Sequence, residues 1–183
     1  MRATPRLCVA LASLALAGGA AITSAPAGAT PGGGGCSLSG TAKFAGGPNM
    51  TAPHAFTYTF TGTLSNCQST MGTPVSATIA TLVPAKGGGG CPSSSTSGVA
   101  LVTWADRSTT IISYTTQDIG AAVTLNGKVL PSYKVRKKVY RTTRGKDYNP
   151  YGYLVFGASP VECAGAGVTT ATIAGVAGLQ RNS

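Results

Sequence analysis

The chain is short of acid and of histidine. Its 183 residues hold four acidic side chains, Asp106, Asp118, Asp147 and Glu162, against 14 lysines and arginines, and one histidine, His54. Each shortage removes a class of chemistry. A zinc site wants Cys-x-x-Cys pairs or neighbouring histidines, and neither is present. A serine hydrolase would have to take His54 as its base, with no Gly-x-Ser-x-Gly elbow to accompany it. Following Asn49-Met50-Thr51-Ala52-Pro53, His54 reads instead as an exposed histidine at the entrance to a strand. Glycoside hydrolysis needs two facing carboxylates, whereas each acid here has a local role: Asp106 and Asp147 in turns, Asp118 before Gly120, Glu162 beside a cysteine. Phosphate loops, dinucleotide fingerprints and calcium loops are missing as well. The expectation is a non-enzymatic protein with no catalytic residues, no metal and no cofactor.

Long apolar runs are equally scarce. The one run, from Leu7 to about Ala17, follows Arg2 and Arg6 and precedes small residues ending in Ala27-Gly28-Ala29, the order of parts in a secretory signal. The run is shorter than the roughly 20 residues a membrane helix needs, so no membrane span is expected. Residues 1–29 read as a signal peptide cleaved after Ala29, and the protein as secreted and extracellular. Losing Arg2, Arg6 and Cys8 takes the formal charge from +10 to +8 and leaves four cysteines, Cys36, Cys67, Cys91 and Cys163. An oxidising compartment favours two disulfides among them. Three pairings exist. In an up-and-down meander the residue before a first strand lies at the same end as the residue after the second, which favours Cys36 with Cys67 and Cys91 with Cys163.

What the chain has in quantity is period-two alternation, clearest where Phe56, Tyr58 and Phe60 interleave with Thr57, Thr59 and Thr61. Further strands are expected over residues 38–44, 75–83, 99–104, 109–116, 121–125, 129–140, 151–156 and 168–176, each rich in Val, Ile, Thr or aromatics. Asn126-Gly127 is a strong hairpin signal between two such runs. Residues 30–35 read as a flexible glycine leader, 36–183 as one domain, and the tetraglycine at 87–90 with its serine-rich sequel to Gly98 as a long loop. About nine short strands point to an all-β, antiparallel β-sandwich, Ig-like or related, with an open barrel as the alternative. Trp104 is placed in the core as its largest anchor.

Several stretches carry a resemblance. Cys36, Gly62-Thr63-Leu64-Ser65-Asn66-Cys67, the strand from Gly98 through Val102 to Trp104, and Cys163 followed by Gly167-Val168-Thr169 resemble a group of small secreted actinobacterial β-proteins of unknown function. The resemblance implies the fold and supplies no activity. The chain departs from it at Arg107, where a turn glycine is expected, and in a segment far more basic and tyrosine-rich.

That segment is chemically distinctive. Lys134, Arg136, Lys137, Lys138, Arg141, Arg144 and Lys146 place seven bases in 13 residues, with Tyr133, Tyr140, Tyr148, Tyr151 and Tyr153 interleaved or flanking. A strand over 129–140 would turn Tyr133, Val135 and Val139 to one face and Lys134, Arg136 and Lys138 to the other, with the hairpin turn at 147–152. Edge-strand lysines also block aggregation, which is the structural explanation. The functional explanation is a binding surface, made by the bases with Tyr133, Tyr140, Tyr148 and Tyr151, for an anionic cell-envelope polymer or an extracellular protein partner. No nucleic-acid motif accompanies it. Two other functions are weighed: a protease inhibitor presenting residues 84–98 or 141–146, and a cationic toxin or assembly subunit whose glycine leader adds a strand to a partner.

Overall fold

A computed structural model describes residues 33–68 and 74–181. The expected signal peptide and its cleavage site lie outside the described residues. Eleven strands and one short helix follow in order: β1 (Gly33–Ala45), β2 (His54–Ser65), β3 (Ala77–Thr81), β4 (Ala85–Gly90), β5 (Ser93–Trp104), β6 (Thr109–Ile119), β7 (Ala122–Leu130), β8 (Ser132–Val135), β9 (Lys138–Arg141), β10 (Tyr148–Ala158), α1 (Pro160–Ala164) and β11 (Thr170–Arg181). Alternation drives the strands. In β2, Phe56, Tyr58, Phe60 and Leu64 are buried, and the threonines between them face outward.

The strands form a closed barrel, not the expected sandwich. Neighbours run β1, β2, β3 with β4, β5, β6, β7, β10 and β11, all antiparallel, and β11 returns to pair with β1 from Gly33↔Gln180 to Lys43↔Thr170. β3 and β4 share one position in the wall. β2 sets Leu64 to Thr61 against Ala77 to Ala80, then Tyr58 to His54 against Ala85 to Gly89, and β5 flanks both. They are two halves of one stave, bent at residues 82–84, so the barrel has eight staves, an even number that lets a purely antiparallel sheet close. A sandwich would leave sheet edges unpaired, and pairing of the first strand with the last removes them.

Two disulfides staple the two ends. Cys36–Cys67 joins the start of β1 to the end of β2, and Cys91–Cys163 joins the β4–β5 turn to α1. This is the pairing that strand parity favours. Closing loops of 31 and 72 residues, they restrict the unfolded chain by roughly 4 kcal/mol each on the loop-entropy account.

Three local expectations change. Asn126 and Gly127 lie inside β7, opposite Thr115 and Tyr114, and the hairpin turns instead at Gly120, whose φ is +61°. The glycine at 127 is required by crowding, because a Cβ there would stand 2.2 Å from Ser113 O. Glycines 33–35 begin β1 and pair with Gln180, Leu179 and Gly178. The tetraglycine is a strand, with Lys86 to Gly90 opposite Ser97 to Ser93. Its first glycine makes room for an aromatic ring: a Cβ on Gly87 would lie 2.2 Å from Phe56 Cε2. Gly40 and Gly62, paired across β1 and β2, accommodate the Phe60 ring in the same way, with ring carbons 2.6 and 2.8 Å from their would-be Cβ atoms.

The inward side chains make one core. Phe44 meets Tyr58 stacked at 5.5 Å and meets Phe56 and Phe156 edge-on. Trp104 is buried, as expected, and its indole N–H donates to Thr110 Oγ1 at 2.9 Å. Arg107, in the β5–β6 turn, takes φ +66°. That is the left-handed backbone for which a glycine would be the unstrained choice.

Because the three atoms nearest a Cβ on Gly87 all belong to the Phe56 ring, the contact can be separated by a double-mutant cycle. Gly87→Ala should cost about 1–3 kcal/mol in denaturant unfolding with disulfides intact, and less than about 1 kcal/mol in a Phe56→Leu background. Equal costs in both backgrounds would refute the ring-over-glycine account.

Candidate functional site

The basic segment divides into two parts. Between β7 and β10 the chain leaves the barrel, and β8 pairs with β9 as a separate two-stranded sheet. The hairpin turns at Arg136 and Lys137, not at 147–152, where β10 already runs. Two-residue hairpin turns need positive φ at the first central position, and Arg136 takes +53°. Turning there alters the faces. Tyr133 lies opposite Tyr140 and Val135 opposite Lys138, whereas Lys134 lies opposite Val139 and Ser132 opposite Arg141. Directly paired residues share a face, so bases occur on both sides of the hairpin and no one-sided stripe forms. Lys138 Nζ sits 4.6 Å from the centroid of the Tyr140 ring. Lys134, Arg136, Lys137, Lys138 and Arg141 are exposed, and Tyr133 and Tyr140 are half-buried.

The return segment, residues 141–145, is structural. Thr109 Oγ1 donates to Arg141 O at 2.7 Å, Ile111 N donates to Thr142 Oγ1 at 3.0 Å, and Thr143 N donates to Thr109 O at 2.8 Å. Ile111 points away from the lumen by strand parity yet is fully buried, as is Thr142 beside it. Arg144 crosses to the β5–β6 turn, where its guanidinium donates to Asp106 Oδ2 at 2.7 Å and to Ser108 Oγ at 3.0 Å. The Ser108 hydroxyl, the Ser108 N–H and Arg144 together hold the Asp106 carboxyl below its ordinary range. Arg144 therefore belongs to the scaffold. Tyr151 is buried as well: it is 7% exposed and, on the outer side of the wall by strand parity, brings its hydroxyl to 3.3 Å from where a Cβ on Gly35 would stand, beside Val176. Tyr148 is half-buried at the start of β10, Tyr153 lies on the outer wall, and Lys146 is exposed. Hairpin and return segment together bring Tyr133, Lys134, Arg136, Lys137, Lys138, Tyr140 and Arg141 into one projection. Neither segment considered for an inhibitor is a free loop, since residues 84–98 lie largely in β4 and β5 and residues 141–145 are bonded to β6.

A second polar group, which the sequence did not mark, lies inside the barrel at the opposite end. Tyr114 and Tyr58 hydroxyls share a hydrogen bond at 2.9 Å, Tyr58 bonds Thr96 Oγ1 at 2.9 Å, and Thr96 bonds Thr116 Oγ1 at 2.7 Å. Beyond them Ser94 Oγ donates to Asp118 Oδ2. Burial raises both tyrosine hydroxyls and the Asp118 carboxyl above their ordinary ranges. The inward alternation Ser94, Thr96, Gly98 and Tyr114, Thr116, Asp118 was visible in the sequence. Their meeting depends on β5–β6 register.

His54 begins β2 and is half-buried. Nδ1 faces Ala52 O at 3.0 Å, and Nε2 faces Gly46 O at 3.0 Å and Gly47 O at 3.1 Å. Carbonyls only accept, so the ring satisfies all of them only when both nitrogens carry protons. The Ala52 and Gly46 carbonyls accordingly raise its pKa above the ordinary 6.5. Elsewhere, Glu162 accepts from Thr169 Oγ1 at 2.7 Å. No family model, curated protein or solved structure matches this chain.

The His54 geometry has a signed consequence. A raised folded-state pKa contributes stability that is fully present below pH 6.5 and lost as pH rises through the folded value. With one histidine in the chain, unfolding midpoints should fall between about pH 6 and about pH 9, and His54→Ala should flatten that dependence. An NMR titration placing the His54 midpoint at or below the model-peptide value would overturn the assignment.

Proposed function

We propose that the protein is an exported, non-enzymatic binding module that holds an anionic envelope polymer against the β8–β9 hairpin. One observation carries the reading. The hairpin is a separate sheet outside the barrel that exposes Lys134, Arg136, Lys137, Lys138 and Arg141, while the one ion pair among the described residues occupies Arg144. Charge of one sign on a projection concentrates the local field at its tip. The tip residue, Arg136, also keeps a left-handed backbone where glycine would be unstrained, and side chains retained at such positions are a common mark of use. Tyr133 and Tyr140, directly opposed, give the base of the projection an aromatic surface. Two disulfides fit an oxidising compartment, and no helix among the described residues is long and apolar enough to cross a membrane.

Binding through exposed bases is screened by salt. The whole chain should therefore be retained on teichoic-acid-bearing cell wall at about 50 mM salt, with retention falling at least tenfold by about 500 mM. Replacing Lys134, Arg136, Lys137 and Lys138 with Glu should abolish retention without lowering the unfolding temperature. Arg144→Gln should do the reverse, losing stability while keeping retention. Unchanged retention in the fourfold variant would reject the hairpin as the contact surface.

A further inference from the structure

The barrel interior contains a cavity of about 130 Å³. Its wall is overwhelmingly apolar, with Trp104, Ile112, Phe156 and Leu154 among the lining side chains, and it also includes Asp118 at the end near Cys91 and Gly120. An eight-stranded barrel is just wide enough to be filled by its own side chains or to hold one small molecule. The volume selects the size class. A dry apolar cavity of about 150 Å³ accommodates benzene, so a single ring with one small substituent is the upper limit, and sugars, lipid chains and nucleotides are too large.

Chemistry at the polar end narrows the class further. Four hydroxyls, those of Tyr114, Tyr58, Thr96 and Thr116, are joined by three hydrogen bonds. Each hydroxyl has one proton to give, so the chain satisfies itself and leaves one proton over at one of its two ends, Tyr114 or Thr116. Asp118 is served on Oδ2 by Ser94. Its Oδ1 is buried and has no partner among the described residues. Buried polar atoms are nearly always hydrogen-bonded, and a buried unpartnered carboxylate oxygen destabilises the fold that contains it. An apolar side chain at position 118 would fit the rest of the lumen with no such penalty. Asp118 thus presents one carboxyl oxygen that no hydrogen bond among the described residues occupies.

We propose that the lumen is a binding site for a small monocyclic phenol, whose ring occupies the apolar cavity and whose hydroxyl donates to Asp118 Oδ1. This site is separate from the basic hairpin, which lies at the opposite end of the barrel, and it stands or falls independently of polymer binding. Small residues facing the lumen make space for the polar chain. Gly98 lies opposite Tyr114, where a Cβ would stand 2.7 Å from the Tyr114 hydroxyl, and Ala100 follows on the same inward face. Burial, opposed by the hydroxyls of Ser94 and Thr116, raises the Asp118 carboxyl above its ordinary range. In either protonation state the group retains an oxygen able to accept from a phenol.

Asp118 faces Ser94 at the start of β5 and Trp104 ends that strand at the other rim, so binding is read by isothermal titration calorimetry and not by indole fluorescence. The probes are phenol and toluene, of equal heavy-atom count, titrated into the whole disulfide-bonded protein. Phenol should give a saturable heat of binding and bind roughly tenfold more tightly than toluene, the ratio expected from one hydrogen bond to a charged or strongly polar acceptor. Asp118→Ala should unfold at the same or a higher temperature than the native chain and bind the two probes equally. The proposal is overturned by the absence of a saturable response to phenol, by equal affinities in the native protein, or by a preference for phenol that survives in Asp118→Ala. The native comparison decides the matter without any variant, so a folding defect in Asp118→Ala would not shield it.

Discussion

The structure depends on β1 pairing with β11. Every other neighbour in the wall is next in sequence apart from the excursion between β7 and β10, so those contacts are local and form at small entropic cost. The β1–β11 seam alone joins the two ends of the described chain, and it converts a curled meander into a closed wall with no free edge. Glycines along it permit the curvature. Gly35 lies opposite Gly178, Gly40 opposite Ile173 and Leu38 opposite Gly175, and Gly175 takes φ +152° with its would-be Cβ 2.3 Å from Tyr153 O. A side chain at Gly175 would collide with the neighbouring strand. The Cys36–Cys67 bridge anchors β1 to β2 beside this seam, so β11 closes against a strand already held in place.

Closure also governs what the interior holds. An inward face of Phe, Tyr and Trp side chains is too bulky for eight staves unless some inward positions have no side chain, and Gly40, Gly62, Gly87 and Gly98 are those positions. Once the wall is closed, its connections are confined to the two rims. At one rim the Cys91–Cys163 bridge gathers the β4–β5 turn and α1, with Met50 N donating to Cys163 O and Cys91 N to Asn49 O. At the other the connection from β7 to β10 is long enough to carry its own hairpin. Bases placed there are held away from the core and from Asp118 at the opposite rim.

Much of this was legible in the residues, and the errors have definite causes. Strand positions followed from alternation because a half-buried wall imposes period two whether the sheet is flat or closed. Trp104 in the core and the disulfide partners followed from the same alternation and from parity. Gly87 to Gly90 misled because a glycine run between turn formers ordinarily means chain entropy. Here Gly87 is covered by the Phe56 ring and Gly90 by the Asn49 backbone, both far away in sequence, and Gly89 by the facing backbone of Ser93 and Ser94. Asn126-Gly127 misled likewise, since a turn-forming pair is overridden when its glycine is needed for close packing against Tyr114 and Pro150. In the basic segment, composition picked out the exposed bases of the projecting hairpin. It could not show that Arg144 is spent on Asp106, that Tyr151 is buried against the wall, or that the reversal occurs at Arg136.

By itself the sequence determined the alternating β architecture and the concentration of charge between β7 and β10, because each depends on residue type at short spacing, and parity only favoured one of three cysteine pairings. Tertiary structure alone decided between barrel and sandwich, divided the basic segment into a projecting hairpin and a docked return, and brought Asp118 with Ser94 and Thr116 to one rim of the lumen. Those outcomes rest on which distant strands pair and in what register, and strand pairing is a property of backbone hydrogen bonds that side-chain identity marks only weakly.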